Sequence, residues 1–326
     1  MSFIRENEFI TMSEMGNYSR LGNQMFQYAF MKNISLLLNL PIRLRTLNKG
    51  EYYKIRLNEC FKLPVSVTSN VEYPFDHKEE NVYECREGDN MEYQERMIEE
   101  LKNVKNKIIN INGYFQSEKY FKTIKHELFK DFQFNDQIEN KSLNFINSLL
   151  DKYDRLTALH VRRGDIVNNT NVYPVITEKY IKNAINYMNS KVNNIKIETK
   201  NDITEIEIKQ SNNLFLIFSD DHNYCQTELK LILDNLNIQY LLVKDIGNKE
   251  DCEKNEYIDL CIMSKCHHFI TSCSSYSFWG AYLSNNKGKI IISPKPWFNI
   301  NHPDGKRLCS QDKDIIPEEW IRFDLY

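Results

Sequence analysis

The 326-residue chain carries a net charge of −3, with 42 Lys and Arg against 45 Asp and Glu, so no global basic field draws it to nucleic acid or anionic lipid. With 41% hydrophobic and 27% charged residues it is globular and long enough for two domains, and at a mean hydropathy of −0.56 no stretch approaches the roughly 18 apolar residues of a membrane span. Eight cysteines are too sparse for a disulfide scaffold, and Arg5, Glu6, Glu8 and Glu14 interrupt any apolar signal core, so a reducing, cytoplasmic setting is expected, with room for peripheral association at the inner membrane.

Phe9 to Met12 reads as a short strand, followed by the turn-like Gly16-Asn17-Tyr18-Ser19 and by Arg20-Leu21-Gly22-Asn23. From Gln24 to Leu40, Phe26, Phe30, Ile34 and Leu37 recur at steps of three and four, the mark of a helix that Pro41 ends. Residues 48–106 have weak periodicity and read as loops and short helices. Lys107 to Phe115 alternates like a strand, and Ser117 to Phe129 and Gln137 to Tyr153 look helical. From Leu156 strands and helices alternate regularly. The strands are Leu156 to Val161, Leu214 to Phe218, Gln239 to Val243, Phe269 to Thr271 and Lys289 to Ile292. The helices are Thr177 to Val192, Glu228 to Leu236, Tyr257 to Lys265 and Tyr276 to Leu283. That alternation implies βαβ units in a doubly wound parallel sheet. The expected domain boundary is near residue 150, giving domains 1–150 and 151–326, with 193–213 as a surface insertion.

Three loops carry candidate chemistry. In Arg20-Leu21-Gly22-Asn23-Gln24, between strand and helix, a glycine lets backbone approach a ligand and the helix start offers N–H groups to an anion; an ordinary turn with an Asn cap fits equally well. His160-Val161-Arg162-Arg163-Gly164-Asp165 follows a strand, where ligands bind in such sheets. Its two arginines point to opposite sides of an extended chain, and a guanidinium grips pyrophosphate bidentately; the bland reading is a surface pair of Arg163 with Asp165. Ser272 to Ala281 links a strand to a helix, and its hydroxyls suit phosphate or ribose, or simply a Ser N-cap. A fourth feature, Phe218-Ser219-Asp220-Asp221, offers a carboxylate for a guanine or a ribose, an N-cap, or a Mg²⁺ site. Cys252, Cys261, Cys266, His267, His268 and Cys273 lie close in sequence without any CxxC spacing, and packed thiols are expected instead of zinc.

Together these segments resemble the bacterial α-1,2-fucosyltransferase family. Leu21-Gly22-Asn23-Gln24-Met25-Phe26-Gln27-Tyr28-Ala29 is similar to its first motif, and His160 to Asp165 to its His-Val-Arg-Arg-Gly-Asp motif. Gly113 to Phe121, Phe218 to Asp221 and Ser274 to Leu283 follow in the family's order. Departures are Ser19-Arg20 in place of a Gly-Gly pair and Phe278-Trp279 in place of two tryptophans. The resemblance implies a GT-B-like α/β fold of two Rossmann-like domains, with the N-terminal one on the acceptor side and the C-terminal one holding GDP-fucose. It implies that Arg162 is the pyrophosphate ligand, with Arg163 beside it, and that His160 and Asp220 or Asp221 contact the nucleoside. Ser274, Ser275 and Ser277 would line the phosphate or ribose, and Arg20, Gly22 and Asn23 would also contact the donor.

The implied reaction is inverting transfer of L-fucose to O2 of a terminal galactose, in a glycan that a lipid can carry. No metal or other cofactor is expected, because the arginines can neutralise the pyrophosphate. Arg162 would stabilise the charge growing on departing GDP. Asp165 and Glu118 are the candidate bases. Competing readings are a fucosyltransferase of another linkage, a Mg²⁺-dependent phosphoryl enzyme built on Asp220-Asp221, and a non-catalytic module that binds sugar nucleotides or glycans.

Overall fold

The computed structural model describes residues 8–16, 19–45, 54–65, 67–68, 81–88, 92–105, 107–192, 212–244, 252–309 and 312–326. Most of the expected 193–213 insertion therefore lies outside the described residues, as do Asn17 and Tyr18. Two compact units emerge: unit 1 is Met1–Asn135 with Ser310–Pro317, and unit 2 is Asp136–Cys309 with Glu318–Tyr326.

Unit 1 runs β1 (Ile10–Thr11), α1 (Leu21–Leu38), β2 (Leu44–Arg45), α2 (Leu57–Cys60), β3 (Val67–Thr68), β4 (Val82–Arg86), α3 (Glu95–Lys102), β5 (Ile108–Asn112) and α4 (Lys125–Asp131). Its main sheet has the order β1-β5-β4, all parallel, and β2 pairs with β3. Helix α1 begins three residues earlier than its periodicity predicts, so Gly22 is the second residue of the helix and not part of a turn. It ends at Leu38, before Pro41, because Asn39 takes the left-handed conformation at φ 53°. Phe26, Phe30 and Ile34 are buried as expected; Leu37, in the last turn, is exposed. Strand β4 and helix α3 lie within the stretch that showed weak periodicity.

Unit 2 begins with α5 (Asp136–Leu150), which the sequence reading gave to the first domain. The Glu139 carboxylate binds Lys265 Nζ at 2.6 Å and accepts from Cys261 Sγ at 3.2 Å, and Ser142 Oγ donates to the Ile258 carbonyl. These bonds tie α5 to α10 (Cys252–Ser264). Between them come β6 (Arg155–Val161), α6 (Gly164–Val167), α7 (Glu178–Val192), β7 (Asn213–Ser219), α8 (His222–Tyr224), α9 (Lys230–Asn235) and β8 (Gln239–Leu242). A π turn at Cys225–Leu229 joins α8 to α9. After α10 come β9 (His268–Ile270), α11 (Ser275–Tyr282), β10 (Ile291–Lys295), α12 (Pro303–Cys309) and β11 (Ile321–Asp324).

The six strands lie in the order β11-β10-β9-β6-β7-β8, every pair parallel. The first strand, β6, thus sits centrally, with β7 and β8 on one side and β9 to β11 on the other. That is the doubly wound arrangement, and the winding reverses between β6 and β9. Tyr180, Ile181, Ala184, Ile185 and Met188 of α7 are all fully buried against the sheet, the face their spacing predicts. Each large side chain contributes on the order of 2 kcal/mol. Edge strand β11 and helix α12 were not legible in the sequence.

Candidate functional site

The carboxyl ends of β6, β7 and β9 bring the C-terminal motifs together at the reversal. His160 is the penultimate residue of β6 and buried, its Nδ1 2.7 Å from Ser272 Oγ and its ring tilted against Tyr276. Burial holds its pKa down at about 4, with the Arg162 charge adding to the drop and Asp220 opposing it, so the ring is neutral at pH 7. The next residues diverge as alternation requires. Arg162 turns toward the loop after β9, where its Nη1 lies 3.5 Å from Ser274 Oγ. Arg163 turns toward the loop after β7; its Nε lies 3.2 Å from Asp221 Oδ2, and its guanidinium sits 3.8 Å over the Tyr224 ring.

The ion pairing differs from the bland alternative of an Arg163–Asp165 surface pair. Asp165 faces Arg162, accepting from Nη2 on both oxygens at 3.0 Å. The expected base thus holds the expected pyrophosphate ligand. Asp220 spans to the loop after β6, and its Oδ1 accepts from the backbone N–H of Arg163 at 2.8 Å and of Gly164 at 3.0 Å. A Cβ on Gly164 would come 2.6 Å from Asp220 Oδ2, so only glycine leaves room for this clasp. Asp221 is the N-cap of α8: its Oδ1 accepts from Tyr224 N–H, which together with Arg163 holds its carboxyl below the usual range.

The serine loop divides by role. Ser274 caps α11, accepting from Tyr276 N–H at 3.3 Å, and also faces Arg162. Ser275 is half-buried in the first turn of that helix. Ser277 is not placed to line a ligand: it is fully buried, and its hydroxyl bonds the backbone of Ser272 and Ser274. Ser272, grouped in the sequence with the hydroxyls that suit phosphate or ribose, instead positions His160; its place two residues past β9 is the available signal.

In unit 1, Arg20 is the exposed N-cap of α1, its carbonyl accepting from Asn23 and Gln24 N–H at 3.0 Å. Asn23 Oδ1 accepts from Gln116 Nε2 at 2.9 Å. Buried Gln24 donates to the carbonyls of Ser19 and Lys54 and accepts from Arg56 N–H, so this motif residue ties the helix start to a neighbouring segment. Glu118, the other candidate base, opens a short 3-10 turn capped by Ser117.

Among the described residues no group of three or more His, Cys, Asp or Glu side chains is arranged to hold a metal ion. His267 and His268 instead accept the N–H groups of Leu156 and Ile290 through Nδ1. No helix among the described residues is long and apolar enough to cross a membrane.

The sequence profile of glycosyl transferase family 11 matches residues 5–324. An Escherichia coli α-1,2-colitosyltransferase is 26% identical over 321 residues, covering 93% of this chain and 96% of that protein. The E. coli O-antigen biosynthesis glycosyltransferase WbnK is 27% identical, covering 86% and 93%. Galactoside α-(1,2)-fucosyltransferase 2 of Pongo pygmaeus is 20% identical, covering 65% and 57%. Among solved structures, Arabidopsis thaliana FUT1 with GDP aligns with a TM-score of 0.54 at 12% identity, over 89% of this chain and 72% of that one. POFUT1 with GDP-fucose aligns at 0.52 and 12%, over 88% and 98%. The fold is GT-B-like.

Proposed function

Because the chain belongs to glycosyl transferase family 11, we propose that it is an inverting galactoside α-1,2-fucosyltransferase that moves L-fucose from GDP-β-L-fucose to O2 of a terminal galactose in a surface glycan of the O-antigen kind. The observation that carries this reading is the meeting of Arg162, Ser274 and the amino end of α11 at the reversal point of the unit 2 sheet. A guanidinium and a helix start converging there suit a pyrophosphate.

The Arg162–Asp165 pair is solvent-facing, with side chains 22% and 47% exposed, and such pairs contribute only about 0–1 kcal/mol. A pyrophosphate therefore displaces or shares Asp165 at little cost. In the reaction the bond from fucose C1 to the β-phosphate oxygen breaks, and the galactose O2 bonds to C1 from the opposite face. The O2 proton leaves to a base or to water, and GDP departs with the electron pair. Arg162 meets the charge that grows on that oxygen, so it lowers the barrier more than it strengthens ground-state binding. In this reading Asp165 positions Arg162, Asp220 acts through the clasp, and neutral His160 with Tyr276 forms the wall beside the nucleoside. The resemblance extends donor contact to Arg20 and Asn23, and the arginines make a metal unnecessary. The setting that fits is the cytoplasm, where sugar nucleotides are made.

A colitosyl donor is the second reading, favoured by the relative that covers 93% of this chain. The test is to incubate purified protein with GDP-fucose and lactose in EDTA, in parallel with the activated colitose, following GDP release and product linkage. An α-1,2-fucosylated product establishes the proposal; product from the colitosyl donor alone replaces the donor. No GDP binding by calorimetry overturns both.

A further inference from the structure

A second built turn lies in unit 1, at the carboxyl end of the β1-β5-β4 sheet. Glu87, one residue past β4, accepts from Tyr114 N–H on Oε2 at 2.7 Å and from Phe115 N–H on both oxygens at 3.0 Å. Gly113 sits at φ +153°, and a Cβ there would come 2.4 Å from Glu87 Cβ. Phe115 is held at φ +53°, a costly conformation for a bulky residue. Its ring is locked by stacking on Phe30 at 3.9 Å between centroids. Gln27 Nε2 donates to the Gly113 carbonyl, and Gln116 Nε2 reaches Asn23.

The turn is tied on both sides of Tyr114, yet the residue itself is 37% exposed. Among the described residues only Tyr114 and Tyr326 are exposed aromatics, and the Tyr326 hydroxyl is bonded to Asn299 Oδ1. A strained, fully tied turn that offers one aromatic ring to solvent has the form of a preorganised platform. The other side chains that hold the turn, Gln27, Phe30, Asn23 and Gln116, are neutral, and the Glu87 carboxylate is turned inward onto backbone N–H groups. The ligand it suits is uncharged and carries an apolar C–H face, as a pyranose ring does.

We infer that Tyr114 is the acceptor-recognition residue, its ring stacking on a sugar of the glycan, with Glu87 as the residue that positions it. This rests on the glycosyltransferase reading above and extends it to the second substrate. Tyr114→Ala should raise the acceptor KM roughly tenfold, the equivalent of one lost ring contact, and leave the donor KM unchanged. Tyr114→Phe and Tyr114→Trp should restore it, because the ring and not the hydroxyl makes the contact. Glu87→Gln should move the acceptor KM in the same direction with Tyr114 in place. Lactose binding read directly by saturation-transfer NMR decides the matter independently of turnover. Loss of binding in Tyr114→Ala, regained in Tyr114→Trp, supports the inference even if GDP-fucose proves the wrong donor. Equal binding by wild type and Tyr114→Ala overturns it, and so does an equal rise in donor and acceptor KM.

Discussion

Asp220 in unit 2 and Glu87 in unit 1 each stand one residue past a parallel strand, and each takes two consecutive backbone N–H groups from the turn that follows the neighbouring strand. Each clasp depends on a glycine without room for a Cβ, Gly164 in one case and Gly113 in the other. The two turns differ in what they leave facing solvent. The first offers guanidinium groups, with Arg162 and Arg163 side chains 22% and 20% exposed, and the second offers the ring of Tyr114. The lesson is that a carboxylate at a strand end can be scaffolding. The side chains its clasp presents decide whether an edge suits an anion or an uncharged sugar.

The comparison breaks most sharply at Arg162. Arg162→Ala should lower kcat/KM for the donor by about a thousandfold, as loss of a charge aimed at the departing group does. Arg162→Lys should recover only part, because an ammonium lacks the planar fork that meets two phosphate oxygens with parallel bonds. Steady-state GDP release measures both.

Beneath the charged edge lies the neutral His160. Its pKa falls from the ordinary 6.5 to about 4 in the folded state, so between those values the unfolded chain binds the proton more readily. Stability present above pH 6.5 is therefore lost as the pH falls toward 4, by roughly 3 kcal/mol from this group. His268, also held at about 4 by burial, adds to the same slope. Urea unfolding of wild type and His160→Asn at pH 7 and pH 4.5 should show the variant with the shallower dependence.

The clasps themselves should separate by substrate. Asp220→Ala should destabilise by about 2 kcal/mol, since two N–H groups lose a charged acceptor, and should weaken GDP binding in calorimetry. Gly164→Ala should have a similar effect, and adding it to Asp220→Ala should cost little more, because both act through one contact. Equivalent changes at Glu87 and Gly113 should leave the GDP affinity unchanged. The smallest effect is expected at Ser277. Ser277→Ala should cost about 1 kcal/mol in thermal unfolding, with the donor KM unaltered, because its hydroxyl serves only buried backbone.

Much of unit 2 was legible because buried parallel strands are continuous apolar runs. Leu214 to Phe218 falls inside Asn213–Ser219, and the face of α7 follows its spacing residue for residue. Strand β4 escaped because Val-Tyr-Glu-Cys-Arg buries only Cys85 and shows no period. Strand β11 escaped because Ile-Arg-Phe-Asp alternates half-buried and exposed residues and forms no apolar run, and α5 reads as part of the first domain because the bonds that tie it to α10 span 116 to 126 residues of sequence. Glu87 gave no signal at all: nothing in a polar stretch marks the one carboxylate that will meet a turn 27 residues on.

The sequence by itself determined the alternating architecture of unit 2, the strand-end positions of His160, Arg162 and Ser274, and the family. Local periodicity and short motifs encode those directly. Only the tertiary structure decided which acid meets which arginine, that Ser277 is turned inward while Ser272 serves His160, and that Asp220 and Glu87 are clasps. Those outcomes depend on which strands become neighbours, and that is settled by burying apolar faces far apart in the chain, not by the residues that end up in contact.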